Sequence, residues 1–254
     1  MTLPDTFDTF VPTNFSQLLT QVKFQPKYIG FAELKELDST VGIFKSSLEL
    51  AEQVYSPALL NHCQRCYYFA LAILHSGYPS KSPFVPQISR DALVKEIYLT
   101  SLLHDFGLST NDYVTSHPAH TMTFEFAGGI IAYEHLRAGY AASQQLKDVQ
   151  IAQIAQSIML HTSLFDRGNS SAAGTLIHLA AFLDIGGYGS FGPDSMATMI
   201  NRDTVREIEE AFPRSDMAEV DQEFQTIEES KPTCLLNHFS QGAELGDNPV
   251  SASH

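Results

Sequence analysis

Apolar residues in this chain recur every three or four positions over long blocks, and no stretch of useful length alternates between apolar and polar, so the pattern predicts an all-α protein. Ser56 as N-cap and Pro57 at the first helical position open a helix that continues through LLNHCQRCYYFALAILHSG and stops at Gly77. A second helix, 90–106, carries Leu93, Ile97, Leu99, Leu102 and Leu103, with Gly107 suited to its C-cap. FEFAGGIIAYEHLRAG reads as a third, in which Gly128 and Gly129 weaken the helix and so point to close packing on a neighbour. Further helices are expected at 148–162, at 172–183 (apolar almost all round, hence buried), and at 203–211 and 217–229 on the surface. Residues 1–33 lack a sustained period and read as an extended arm, 34–240 as the helical domain, and 241–254 as a frayed tail. The glycines of 186–192 suggest a mobile connection.

Composition narrows the function. The 254 residues are 44% hydrophobic, with 17 Phe and 10 Tyr, enough for one sizeable core. Lys and Arg total 15 against 29 Asp and Glu, a net charge of −14 that repels phosphate backbones and anionic lipid. Nucleic acid and membrane are therefore not expected partners, and a small neutral substrate suits the field better. No apolar run approaches the roughly 20 residues of a membrane span, and the first residues lack a basic start and an apolar core, so the expected location is cytoplasmic. Three cysteines cannot all pair within one chain, and reduced thiols are expected.

The candidate chemistry lies in His104-Asp105 at the end of one apolar helix, with His62 upstream and Asp184 at the end of the buried apolar helix downstream. Two imidazoles and two carboxylates form a mixed N/O donor set suited to zinc or iron(II), with positions left for water. Taken singly, each of the four is as readily a satisfied core or capping residue. Carboxylates at the ends of apolar helices, however, are costly to bury alone, and one shared cation compensates both. Arg65, three residues after His62, is placed either to orient Asp105 or Asp184 or to form a surface or interface ion pair. Cys63-Gln64-Arg65-Cys66 has redox spacing but lies inside a helix, which favours a structural role; Cys66 is able to line the pocket wall. His117 and His120 flank Pro118 in a loop that is a candidate lid, although loop histidines are common.

These segments resemble the fungal HD-domain cyanamide hydratases, within the wider HD superfamily of metal-dependent hydrolases. The resemblance covers about residues 50–240 and rests on LLNHCQRCYYFA, LTSLLHDFG, MTFEFAGGIIAYEHL, the IMLH ending at His161, LIHLAAFLDIGGYG, EEAFPR and EESKP. It implies an HD-type helical bundle with His62, His104, Asp105 and Asp184 as ligands of a divalent metal, Zn²⁺ foremost and Fe²⁺ as the alternative. The implied reaction adds water to the nitrile of cyanamide to give urea, with metal-bound water made nucleophilic and Asp105 or His161 handling protons. A homo-oligomer is also implied, and the paired glycines agree with one.

The chain departs from that pattern in places. Thr162, Ser163 and Leu164 follow His161 where acidic residues are usual, so a supporting carboxylate is either missing or comes from elsewhere. Ser170 or Ser171 stands where a pocket threonine is common, which makes Ser171 a candidate substrate-site hydroxyl, and Ile185 follows Asp184 in place of Asn. Leu108 occupies the position of the lysine in HD phosphohydrolases that helps hold phosphate. A nucleotide or phosphate-ester hydrolase is therefore the second reading, and a non-catalytic scaffold stabilised by its metal is the third.

Overall fold

Small polar side chains start the long helices where the sequence places them. The computed structural model describes residues 3–38, 40, 42–215 and 217–238, so the proposed tail, 241–254, lies outside the described residues. Its helices are α1 (Phe15–Gln21), α2 (Phe31–Leu37), α3 (Lys45–Val54), α4 (Pro57–His75), α5 (Arg90–Leu103), α6 (Asp112–Thr115), α7 (Phe124–Leu136), α8 (Asp148–Leu160), α9 (Ala172–Gly186), α10 (Arg202–Ala211) and α11 (Met217–Ser230). The Oγ atoms of Ser56, Ser89 and Ser171 accept the N–H groups of Leu59, Ala92 and Gly174 at 3.2, 3.3 and 3.1 Å. Each satisfies an orphan donor at the start of α4, α5 or α9, a contribution of about 1 kcal/mol apiece.

The all-α architecture holds, with a minor β element that sequence periodicity did not show. The arm contributes β1 (Thr6–Asp8) and β2 (Phe10–Pro12), which pair antiparallel with β3 (Gln87–Ser89) and β4 (Asn169–Ser171), respectively. Thr6 lies opposite Ser89, and Phe10 opposite Ser171. Three-residue strands are too short to reveal a period of two. Phe7, Val11 and Leu18 of the arm are buried in the core, so the arm is part of the folded body.

Two apolar clusters organise the helices. The first gathers the arm, the second half of α4, the start of α5, and α9; the second gathers α3, the start of α4, the end of α5, α7, α8 and α11. Because the first half of α4 shares a cluster with the end of α5, these two helices run antiparallel. Cys63 belongs to one cluster and Cys66 to the other, so the turn of α4 that carries His62 and Arg65 lies at the seam.

Glycine is required where backbones meet. A Cβ on Gly107 would lie 1.9 Å from the Phe124 carbonyl oxygen, so this glycine admits the start of α7 and does not cap α5; His104 takes the C-cap position. A Cβ on Gly129 would come within 2.4 Å of Met159 and 3.0 Å of the Ala155 carbonyl, and one on Gly128 within 3.0 Å of the Gly107 nitrogen. The paired glycines thus seat α7 on α8 and on the turn after α5 within the same chain, and they carry no argument for an oligomer. The 186–192 stretch forms a hydrogen-bonded turn in which the Ser190 hydroxyl donates to Phe182 O at 2.6 Å.

Candidate metal centre

Three helices deliver their carboxyl-terminal ends to one point beside the second turn of α4. His104 is the C-cap of α5, His161 is the C-cap of α8, and Asp184 lies in the last turn of α9. Helix C-termini present unpaired carbonyls and partial negative charge, which favour cations. The two capping histidines answer part of this identically: His104 Nδ1 donates to Ser101 O and His161 Nδ1 to Ile158 O, both at 2.7 Å. A carbonyl can only accept, so each Nδ1 carries the proton and each Nε2 faces inward.

The inward-facing atoms converge. His62 Nε2 lies 3.2 Å from His104 Nε2 and 3.3 Å from Asp105 Oδ2, and His104 Nε2 lies 3.2 Å from the same oxygen. His161 Nε2 stands 3.6 Å from Asp105 Oδ1. All four residues are buried, yet neither Asp105 oxygen has a partner in hydrogen-bonding geometry. Ligand atoms bound to one ion at about 2.0–2.1 Å with tetrahedral angles lie about 3.3–3.4 Å apart, which matches the His62–His104–Asp105 triangle. A first-row divalent ion therefore fits this donor set, and it would satisfy the buried Asp105 Oδ2, which otherwise lacks a donor.

Asp184 is placed differently from the other three. Its Oδ2 lies 2.6 Å from His62 Nδ1, on the edge of that ring opposite the convergent Nε2. Arg65 grips the same carboxylate with Nε at 2.7 Å from Oδ1 and Nη2 at 2.9 Å from Oδ2, and Arg214 Nη1 donates to Oδ1 and to the Asp184 carbonyl, each at 2.8 Å. Of the two carboxylates considered for Arg65, the structure thus pairs it with Asp184. In this arrangement Asp184 fixes the His62 tautomer and ring, as a carboxylate behind a metal-binding imidazole does.

The electrostatics follow the geometry. Burial opposes ionisation of Asp105, but the imidazoles of His104, His161 and His62 hold its carboxyl well below the usual carboxylate range. Burial likewise opposes ionisation of Asp184, and there Arg65 and then His62 outweigh it. Burial lowers His104, whereas in His62 the effect of burial is outweighed by Cys66, Asp105 and Asp184, which raise it well above the ordinary imidazole value. Burial pushes both the Cys63 and Cys66 thiols up, and none of the three cysteines is in a disulfide. Cys66 Sγ lies 3.7 Å from His62 Nε2, at the wall of the cluster.

Other predicted residues fall elsewhere. Ser171 lines a separate cavity of about 290 Å³ with Ser157, Thr175 and His178, and its hydroxyl serves the α9 cap and Ser157, 3.0 Å away. That cavity backs onto the centre through His178, whose Nδ1 donates to His161 O at 2.6 Å and whose pKa burial pushes down to about 4. His117 bonds Glu134 at 3.1 Å, and Lys231 ties the His117–Met122 turn by donating to the carbonyls of His120 and Met122. Phe124 is core, with its ring centroid 5.9 Å from that of His161, while Phe126 is partly exposed.

Two functional contacts escaped the sequence. Arg214 ends EEAFPR, a segment noticed only as a match, and nothing local indicates that it reaches Asp184. Next to His161, buried Glu125 of α7 accepts from Thr162 Oγ1 at 2.8 Å. The hydroxyl at 162, where an acid was expected, was the available signal.

No family model matches the chain, and no helix among the described residues is long and apolar enough to cross a membrane. The chain is similar to two proteins of Saccharomyces cerevisiae, Cyanamide hydratase DDI2 and Cyanamide hydratase DDI3, each 28% identical over 166 residues. Each match covers 65% of this chain and 63% of the relative's own length.

Proposed function

We propose that this protein is a metal-dependent hydratase that adds water to cyanamide, giving urea, or to a closely similar small neutral nitrile-like compound. The observation that carries the proposal is the pair of buried Asp105 oxygens without hydrogen-bond donors, facing the Nε2 atoms of His62, His104 and His161. The similarity to two cyanamide hydratases supports the substrate class.

His62, His104 and Asp105 would hold the ion, Zn²⁺ foremost and Fe²⁺ as the alternative, with Asp184 either orienting His62 or, after turning from Arg65 and Arg214, joining as a ligand. Bound there, such an ion supplies Lewis acidity that makes water nucleophilic near neutral pH. Hydration forms one C–O bond and places a proton on the nitrile nitrogen; the resulting isourea moves its O–H proton to nitrogen to become urea. Asp105, held anionic, is the acceptor side of this traffic and not the acid. His161 suits the donor side: its Nδ1 is tied to Ile158 O, so Nε2 is the exchangeable position, and it faces Asp105 Oδ1. Arg65 and Arg214 are committed to Asp184, which disfavours a phosphate ester.

The test is urea release from cyanamide by protein reconstituted with Zn²⁺ or Fe²⁺. Turnover is expected, with loss in His104→Ala. An ion-replete enzyme that leaves cyanamide and small nitriles untouched overturns the proposal.

A further inference from the structure

Glu125 is a carboxylate in the first turn of α7, fully shielded from solvent, and its hydrogen-bond partners are two hydroxyls. Oε1 accepts from Thr162 Oγ1 at 2.8 Å, and Oε2 accepts from the Thr123 hydroxyl. Thr123 Oγ1 in turn accepts the backbone N–H of Leu235 at 3.0 Å. One carboxylate thus joins the start of α7, the residue immediately after His161, and the carboxyl-terminal segment.

A buried carboxylate is an expensive way to satisfy two hydroxyls, since water or a backbone carbonyl serves as well. Its distinctive property is direction: charge-assisted hydrogen bonds are short and strong, and they fix both partners in place. The partner that matters is Thr162. His161 sits at the frayed end of α8, where helical hydrogen bonds run out, and its Nε2 must stay aimed at Asp105. Its ring is confined by His104 and Phe124, with centroids 4.9 and 5.9 Å away, and its carbonyl by His178. The residue that follows it is held by Glu125.

We propose that Glu125 is a positioning residue for His161: through the Thr162 hydroxyl it fixes the end of α8 and the aim of His161 Nε2, and through Thr123 it ties that aim to the seating of Leu235. The effect on turnover rests on the proposed role of His161 in cyanamide hydration; the effect on the His161 ring does not.

The test uses the full chain with ¹⁵N-labelled histidine. Glu125→Gln and Thr162→Val should each shift the His161 ring resonances and lower kcat for cyanamide about tenfold to a hundredfold, with KM little changed. Thr162→Ser, which keeps the hydroxyl, should restore both. In a His161→Ala background Glu125→Gln should add no further loss, because a residue acting only through His161 has nothing left to position. Unmoved His161 resonances in folded Glu125→Gln or Thr162→Val protein overturn the proposal, as does an undiminished Glu125→Gln effect in the His161→Ala background. If Glu125→Gln fails to fold, the Thr162→Val and Thr162→Ser pair decides alone. Wild-type protein inert toward cyanamide would defeat the hydratase reading and leave the resonance measurement to decide on Glu125.

Discussion

Asp184 and Asp105 lie at the ends of neighbouring helices, equally buried, and they meet the cost of burial in opposite ways. Asp184 receives Arg65 on both oxygens, Arg214 on one, and His62 Nδ1 on the other. Asp105 has imidazole nitrogens at 3.2–3.6 Å but no donor in hydrogen-bonding geometry. A carboxylate saturated by arginines is scaffold, because breaking its pairs strands a buried charge. A buried carboxylate whose oxygens lack hydrogen-bond donors and stand among imidazole nitrogens invites an external cation. Two more acids widen the contrast: Glu125 is held by hydroxyls, and Glu96, buried in α5 with a 3.4 Å contact from Gln150, is pushed up to about 7 by burial and so keeps its proton to higher pH.

The sharpest way to break this comparison is to remove one arginine. Arg65→Ala should lower unfolding stability by about 3–5 kcal/mol, since Asp184 then stays buried and partly unpaired; a urea midpoint shift no larger than that of a surface substitution would refute the scaffold role. Next come the paired variants Asp105→Asn and Asp184→Asn. Asp105→Asn should abolish retention of Zn²⁺. Asp184→Asn should weaken Zn²⁺ about 10–100-fold, as loss of an orienting carboxylate does, and should itself destabilise the fold. Equal loss of zinc in the two, measured by competition with a chelating dye, would make Asp184 a direct ligand.

Glu96 tests the proton solution. Its folded pKa lies above the unfolded value, so the folded chain binds the extra proton and stability falls as pH rises from about 4.5 through about 7. Glu96→Gln should flatten this slope and stabilise the chain at pH 8 by about 2–3 kcal/mol, read from melts at pH 5 and pH 8; identical slopes in the two proteins would count against it. The smallest effect is expected from Ser171→Ala, about 1 kcal/mol from the lost cap of α9. A larger fall in turnover than that destabilisation explains would draw this hydroxyl into the reaction.

Much of the fold was legible along the chain. Helices are local, so Ser56-Pro57, the spacing of Leu93, Ile97 and Leu103, and the apolar run before Asp184 announced α4, α5 and α9 nearly to their ends. The exact ends were harder: Gly107 looked like a cap because φ freedom and absence of a Cβ give the same letter, and only the approach of Phe124 distinguishes them. The pairings of β1 with β3 and β2 with β4 join residues about eighty or more positions apart through three-residue strands, which leave no periodic trace.

By itself, then, the sequence determined the helical class, the residue types able to hold a cation, and a charge balance hostile to polyanions. The tertiary structure decided which edge of His62 faces which carboxylate, that Arg214 reaches Asp184 across thirty residues, and that Glu125 on α7 supports the residue after His161. Periodicity encodes which face of a helix is buried; side-chain pairing depends on where separate helices end in space, and that emerges only once the two apolar clusters have packed.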